Sequence, residues 1–236
     1  MSVSSRNSSE RVSVLIQTAQ RRGTRNGKHK KLSSLSQRTW HVLGSENLKE
    51  AIKCPPGEDM NEWIAANTFD FLNEINILWG HCIDQEAHSR YLEPGSGFPK
   101  GVTYRWSNDR AVMTGPDYVE VALIWIDDQC ANPDIFPDTD TNQGTNYPEN
   151  FVEIYVKKIF VKLFRIFCII YWSYKDDMGE HLIHLNTCFR HYIYFALEHN
   201  LLPEDEKEIM PIEDIVTRLK SDFARKTILP PKKDKK

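Results

Sequence analysis

The chain has 236 residues, of which 40% are hydrophobic and 27% are charged, and these values exclude a fibrous or wholly disordered protein. The length suits one domain with flanking tails better than two full domains. The formal net charge of −3 conceals a separation, because residues 41–219 alone hold 14 basic and 30 acidic residues. A folded region with this acidic excess repels nucleic-acid phosphates and favours basic protein segments as partners.

Basic residues are concentrated near both ends of the sequence. Residues 1–40 hold nine Lys or Arg against one acidic residue, and residues 220–236 hold seven against two. We therefore expect a basic, disordered N-terminal tail over 1–38, one folded domain over 39–220 and a basic C-terminal tail over 221–236. Weak contact of these tails with nucleic acid or anionic lipid is the less common alternative to a solvated tail.

The cysteines and the apolar stretches bear on location. Five cysteines are odd in number and widely spaced, and the N-terminal residues lack a signal-peptide pattern. These features indicate a reducing compartment, so we expect a cytoplasmic location, with the nucleus as an alternative. The most apolar stretch, Ile166 to Trp172, has seven residues and is too short to cross a bilayer, so no membrane insertion is predicted.

The first predicted elements are a short helical turn over 47–53, which Pro55-Pro56-Gly57 ends, and a strong helix from about Asn61. The apolar residues of the strong helix recur at helical spacing on one face; they are Trp63, Ile64, Phe71, Leu72, Ile75 and Leu78. Further along, two short apolar runs around a polar turn predict a small β-hairpin over about 102–114.

The remaining apolar patterns predict helices over 116–130, 149–175, 182–199 and 212–220. The second of these is apolar nearly all round between Ile159 and Trp172, which indicates a helix buried on every side. We therefore predict an all-α, single-domain helical bundle around a central helix at about 149–175, with the one small hairpin as its β-structure.

Two charged groups could bind a partner. Glu58, Asp59 and Glu62 lie at the first turn of the strong helix, and Asp70, eight residues beyond Glu62, shares a helix face with it. From spacing alone, a solvated face that complements the helix dipole is the commoner interpretation. Lys162 and Arg165 are three residues apart on the central helix and could clamp a phosphate or carboxylate, although side chains that merely reach water are equally expected.

Signals for enzymatic chemistry are weak. The sequence has no phosphate-binding glycine loop, no H-E-x-x-H and no nucleophile elbow, so the well-marked enzyme classes are not indicated, and we expect a non-enzymatic binding protein. A zinc site could in principle use His81, Cys82, His88, His181 and His184. Their spacing is poor, because Cys82 has no second cysteine at a ligand-like distance along the sequence.

The run Pro56-Gly-Glu-Asp-Met-Asn-Glu-Trp-Ile-Ala-Ala-Asn-Thr-Phe-Asp-Phe71 resembles the Mob (Mob/phocein) family, in particular its kinase-activator branch. Collinear matches follow at Tyr104-Arg-Trp106, Tyr147-Pro-Glu-Asn-Phe151, Lys162-Leu-Phe-Arg165 and His184-Leu-Asn-Thr187. The resemblance covers about residues 43 to 220. It implies a helical bundle that acts as a co-activator or adaptor of protein kinases.

The resemblance changes the interpretation of the acidic residues. Family members bind the basic N-terminal regulatory segment of NDR/LATS-type kinases through an acidic helix face, and the matching positions here are Glu58, Asp59, Glu62 and Asp70. The resemblance therefore implies that these residues bind a kinase. A phocein-like scaffold subunit of a kinase–phosphatase assembly is the alternative, although the acidic run is typical of the kinase-binding branch.

At two other sites the sequence departs from the family pattern. Family members bind phosphorylated peptides of upstream Ste20-like kinases through three basic residues, which correspond here to Val161, Lys162 and Arg165, so the first cation is missing. The four zinc-ligand positions correspond to Glu86, Tyr91, Ile169 and Tyr174. The resemblance therefore implies a degenerate zinc site, and we expect no bound zinc and side-chain packing in its place.

Overall fold

The computed structural model describes residues 48–83, 89–106, 112–137 and 147–225. The predicted N-terminal tail, and the predicted C-terminal tail beyond residue 225, lie outside these ranges.

The described residues form helices joined by irregular segments, and no strand occurs among them. In chain order the elements are α1 (Leu48–Ala51), α2 (Met60–Ile83), α3 (Gly115–Ala131), a π-helical turn (Val152–Val156) that continues into α4 (Lys157–Ser173), α5 (His181–Glu198), α6 (Glu206–Ile209), a 3-10 turn (Met210–Ile212) and α7 (Glu213–Ala224). The predicted all-α bundle is confirmed.

The predicted β-hairpin is not confirmed. Residues 102–106 and 112–114 form no strand, and the turn between them lies outside the described residues. The backbone of the second segment pairs elsewhere, because the Gly95 N–H donates to the Met113 carbonyl at 2.9 Å and the Gly115 N–H donates to the Ser96 carbonyl at 2.7 Å. The backbone carbonyl of Met113, which a hairpin partner would need, is therefore already hydrogen-bonded to another segment.

The predicted central helix corresponds to the π-helical turn and α4, which together span 152–173, and α4 is buried on almost every side. Nine of its side chains are fully buried: Ile159, Phe160, Leu163, Phe164, Ile166, Phe167, Cys168, Ile169 and Ile170. α2, α3 and α5 pack around it. Phe71 of α2, for example, meets the rings of Phe160 at 5.9 Å and Phe195 at 5.5 Å, and aromatic pairs of this kind each contribute about 0.5–1.5 kcal/mol beyond area burial.

The start of α3 fixes the irregular segment that precedes it. A Cβ atom at Gly115 would lie 2.2 Å from the carbonyl oxygen of Gly97, so the close approach of the two backbones requires glycine. The Oγ1 atom of Thr114 accepts the Asp117 N–H at 3.2 Å and caps the helix. This junction holds the segment that carries Tyr104 and Trp106 against α3 and α4.

The two ends of the described chain are joined. The ammonium group of Lys49 in α1 donates to the backbone carbonyl of Asp222 at 2.8 Å and to that of Arg225. A cation at this position complements the negative end of the α7 dipole. The helix α7 ends at Ala224, four residues beyond the end predicted from the sequence.

Candidate functional site

Asp59 begins α2 and has a structural role of its own. Its Oδ1 atom accepts the backbone N–H groups of Asn61 at 2.9 Å and Glu62 at 3.1 Å. Side-chain capping of this kind typically stabilises a helix by about 1 kcal/mol. The Asp59 side chain is nevertheless exposed, so its charge is also accessible to a partner.

Three carboxylates form one charged group, because pairs of them raise the pKa of the same neighbouring side chain. We call this group, which consists of Glu58, Asp59 and Glu62, the acidic start of α2. Burial raises the pKa of the half-buried Cys54 thiol, and the carboxylates of Asp59 and Glu58 raise it further. Burial likewise raises the pKa of the Tyr147 hydroxyl, with added contributions from Glu62 and Asp59. Three negative charges are therefore concentrated at the end of one helix.

Asp70 lies apart from this group. It is half-buried and eight residues beyond Glu62, which corresponds to about 12 Å along the helix axis. The structure thus brings together three of the four predicted acidic residues and places the fourth further along α2. A partner that contacts all four must extend along the helix.

An aromatic cluster borders the acidic start of α2, and the sequence patterns did not predict it. The hydroxyl of Tyr147 lies close enough to Glu62 for that carboxylate to raise its pKa, and the Tyr147 ring centroid is 4.5 Å from that of Phe151. Phe151 meets Phe136 at 5.1 Å, and Phe136 meets Phe69 of α2 at 5.3 Å. The match at Tyr147-Pro-Glu-Asn-Phe151 was the available signal, but a match along the sequence gives no information about contact with α2.

Lys162 lies between two indole rings rather than extending into water. Its ammonium nitrogen is 3.8 Å from the ring centroid of Trp106 and 4.8 Å from that of Trp125. Cations are attracted to the faces of such rings. Burial lowers the pKa of Lys162 to about 8, and the nearby charge of Arg165 contributes to the shift. At neutral pH the amine is still mostly protonated.

Arg165 is clamped on two sides. Its guanidinium donates to both carboxylate oxygens of Glu208, with Nε 2.8 Å from Oε2, and to the hydroxyl of Tyr118 at 3.2 Å. It also lies 5.0 Å from the ring centroid of Tyr104. The structure therefore places Lys162 and Arg165 side by side, as predicted from spacing, but adds Glu208 as a carboxylate partner from a distant segment.

Aromatic side chains fill the region between α2 and the end of α4. Tyr174 is 1% exposed and packs edge-on against Trp79 at 5.4 Å and Tyr91 at 5.6 Å. The hydroxyl of Tyr91 donates to the backbone carbonyl of Ser173 at 2.9 Å. Ile169 is fully buried within α4.

The histidines near this region are engaged with other side chains. The rings of His81 and His181 stack with centroids 3.8 Å apart, and Nε2 of His184 lies 2.7 Å from Oε2 of Glu74. Cys82 is a buried free thiol whose pKa burial raises to about 12. Within the ranges that the structure describes, no group of three or more His, Cys, Asp or Glu side chains could hold a metal ion.

Comparison with known proteins identifies the family. The family model of the Mob1/phocein family matches residues 41–212. The chain belongs to this family. It is 39% identical to the MOB kinase activator-like 1B of Arabidopsis thaliana over 182 residues, which cover 74% of this chain and 81% of that protein.

Two further relatives come from distant organisms. The MOB kinase activator-like 1 homolog B of Dictyostelium discoideum is 38% identical over 186 residues, covering 75% of this chain and 82% of that protein. The MOB kinase activator 3A of Mus musculus is 36% identical over 181 residues, covering 73% and 79%. No helix in the described parts of this Mob chain is long and apolar enough to span a membrane.

Three of the four positions that the resemblance assigns to the family's zinc ligands do not fit a zinc ion in this Mob chain. Ile169 has no donor atom, and the hydroxyl of Tyr174 is kept protonated because burial raises its pKa. Tyr91 already donates its hydroxyl hydrogen to a backbone carbonyl. Glu86 and His88 lie outside the described residues, so the sequence predictions for these two positions have no structural counterpart here.

Proposed function

We propose that this Mob chain is a non-enzymatic adaptor that binds and activates a protein kinase of the NDR/LATS type in the cytoplasm or the nucleus. The basic N-terminal regulatory segment of the kinase would contact the acidic start of α2 and continue toward Asp70. The observation that carries the proposal is the convergence of Glu58, Asp59 and Glu62 at one helix end. The relatives named as kinase activators support the same class of function.

Electrostatics and exposed apolar surface both favour such a partner. The acidic excess of residues 41–219 attracts a basic segment at long range and raises its rate of association. Met60, within the acidic start of α2, is 48% exposed and offers an apolar contact beside the charges. Binding would activate the kinase by stabilising its active conformation, without chemistry on the part of the adaptor.

The test replaces two carboxylates that do not cap the helix. The double variant Glu58→Lys and Glu62→Lys should weaken binding of a synthetic peptide from the basic N-terminal segment of an NDR-type kinase by at least about tenfold. Asp59 stays unchanged, so that the helix keeps its cap. Affinity is measured by isothermal titration calorimetry at two salt concentrations, because a charge-driven interaction weakens as salt rises.

A matched control makes the same change in net charge elsewhere. Glu93 and Asp176 are exposed and lie near the end of α4, where Tyr91 meets Ser173, at the opposite end of α2 from its acidic start. The double variant Glu93→Lys and Asp176→Lys should leave the affinity within about twofold. Equal losses of affinity in the two double variants would mean that the overall charge of the protein, not its acidic start of α2, controls binding. Unchanged affinity in the first variant would refute the site.

We also propose a second partner, a phosphorylated peptide, and a fold that needs no zinc. Lys162 and Arg165 would bind the phosphorylated segment of an upstream Ste20-like kinase, using the two cations that remain of the family's three. Val161 supplies no charge at the third position, so we expect weaker binding than a complete set would give. We also propose that this chain folds without zinc, because packed aromatic rings replace the donor set.

A further inference from the structure

Arg165 already holds an anionic ligand that comes from within the chain. Its guanidinium forms a two-bond pair with the carboxylate of Glu208. A phosphate group fits the same planar arrangement of donors. The side chains of Arg165 and Glu208 are 22% and 17% exposed, so solvent screens this pair less than an ion pair on the open surface.

Among the described residues, Lys162 has no comparable partner. Its ammonium lies over Trp106 and Trp125 and forms no hydrogen bond or ion pair with any residue in the described ranges. Among the described residues, Glu208 therefore pairs with Arg165 alone, and the positive charge of Lys162 is left without a carboxylate. A ligand with more negative charge than a carboxylate would satisfy both cations.

Glu208 belongs to a short element with little burial of its own. α6 has four residues, and none of its described side chains is fully buried. The flanking chain is anchored on both sides, since Leu201 and Ile212 are buried in the core. An element of this kind opens at a lower free-energy cost than the helices of the core, and its fixed ends limit how far it can move.

We propose that Glu208 acts as an internal ligand of Arg165 and that a phosphorylated peptide binds Arg165 and Lys162 by displacing Glu208 together with α6. The inference rests on the phosphopeptide part of the proposed function. A phosphate ester carries close to two negative charges at neutral pH, whereas Glu208 carries one. The acidic excess of residues 41–219 disfavours nucleic acid as the source of the phosphate.

The internal ligand explains how the site can select phosphorylated segments. A peptide carboxylate offers Arg165 no more charge than Glu208 does, and Glu208 is held beside the guanidinium by the chain itself. The site is therefore available only in the fraction of molecules in which Glu208 has moved away. Affinity for every external anion is reduced by that fraction, so a carboxylate becomes too weak to bind, whereas a phosphate, whose intrinsic affinity for the two cations is higher, still binds.

The experiment compares binding of a phosphothreonine peptide and its unphosphorylated counterpart to full-length variants by fluorescence anisotropy. Glu208→Gln keeps the shape of the side chain but removes its charge, and it should bind the phosphorylated peptide about tenfold more tightly than the wild type. Glu204→Gln is the matched control, because Glu204 lies in the same segment, is 85% exposed and lies 3.5 Å from Lys157 instead. It should leave the affinity unchanged.

If Glu208→Gln is less stable than the wild type, the melting temperature with added phosphopeptide and a combined variant still test the inference. Its melting temperature should rise more with added phosphopeptide than that of the wild type, because the ligand replaces the missing carboxylate. The combined variant Glu208→Gln with Arg165→Gln should lose both the tighter binding and this rise. Binding of the basic kinase segment, measured on the same samples, should be unchanged throughout.

The outcomes separate the inference from the function on which it rests. Equal binding of the phosphopeptide by the wild type and Glu208→Gln would overturn the role of Glu208 but leave the phosphopeptide site in place. Failure of both proteins to bind would overturn the inference and the phosphopeptide site together. Binding of the unphosphorylated peptide to the wild type as tight as that of the phosphorylated peptide would overturn the selectivity that we assign to the site.

Discussion

The imidazole ring of His191 packs against Phe71, with ring centroids 4.9 Å apart, where α5 meets α2 in the core of the bundle. His191 is 1% exposed, and burial lowers its pKa to about 4. The folded protein therefore holds this side chain in its neutral form over most of the physiological pH range. This position connects the stability of the fold to pH.

The first prediction is a loss of stability in mild acid. In the unfolded chain His191 takes up a proton near its ordinary pKa of 6.5, whereas in the folded protein it does so near 4, so stability falls as the pH drops between these values. At pH 5 the loss is about 2 kcal/mol relative to pH 8. The pKa of His199 is also lowered by burial and adds to the loss, whereas burial raises the pKa of Glu74 and partly offsets it.

The variant His191→Phe isolates this contribution because it keeps an aromatic ring against Phe71 but cannot take up a proton. Urea denaturation followed by circular dichroism at pH 8 and pH 5 should show a smaller difference between the two free energies of unfolding, by about 2 kcal/mol. The same difference in the variant and the wild type would mean that burial of a neutral His191 is not the source of the acid sensitivity.

The second prediction separates the two roles of Asp59. Asp59→Asn keeps a side-chain oxygen that can cap α2, so the free energy of unfolding should change by less than about 0.5 kcal/mol, whereas Asp59→Ala should lose about 1 kcal/mol. Both variants remove one charge from the acidic start of α2. If this group binds the kinase segment, both should weaken that binding to a similar degree. Wild-type affinity in Asp59→Asn would restrict Asp59 to its capping role.

The third prediction concerns metal content. Elemental analysis of the purified protein should find far less than one equivalent of zinc, because Ile169 and Tyr174 supply no fitting donors at the family's ligand positions. A strong chelator should leave the melting temperature unchanged, whereas a structural zinc contributes directly to folding. One equivalent of zinc, or a fall in melting temperature on chelation, would contradict the prediction.

The helices were predictable from the sequence because the apolar residues of each packing face recur at helical spacing along a short stretch of chain. The spacing of Trp63, Phe71 and Leu78 identified α2, and the apolar run after Ile159 identified α4 as the central helix. For the residues before Gly115, the same approach predicted a hairpin that is not confirmed. Their hydrogen bonds go to Gly95 and its neighbour, and alternation of side chains cannot reveal which backbone a segment will pair with.

The candidate sites were predictable only where residues of one helix form them. Glu58 and Glu62 lie within one turn of each other along the sequence, so spacing places them together. The partner of Arg165 is 43 residues away along the chain, and Glu208 stands in an acidic run that looks like ordinary solvated surface. Contacts of this kind depend on how helices pack against each other, which single-sequence patterns do not specify.

The last prediction tests whether Tyr174 acts through its ring rather than its hydroxyl. The hydroxyl is buried and has no hydrogen-bond partner among the described residues, while the ring packs against Trp79 and Tyr91. A buried hydroxyl without a partner contributes nothing favourable, so Tyr174→Phe should leave the free energy of unfolding unchanged or raise it by up to about 1 kcal/mol. Tyr174→Ala removes the ring and should cost about 3–5 kcal/mol. Urea denaturation of both variants makes the comparison. A large loss in Tyr174→Phe would mean that the hydroxyl has a bonded partner, and a small loss in Tyr174→Ala would mean that the ring does not fill the space between α2 and α4.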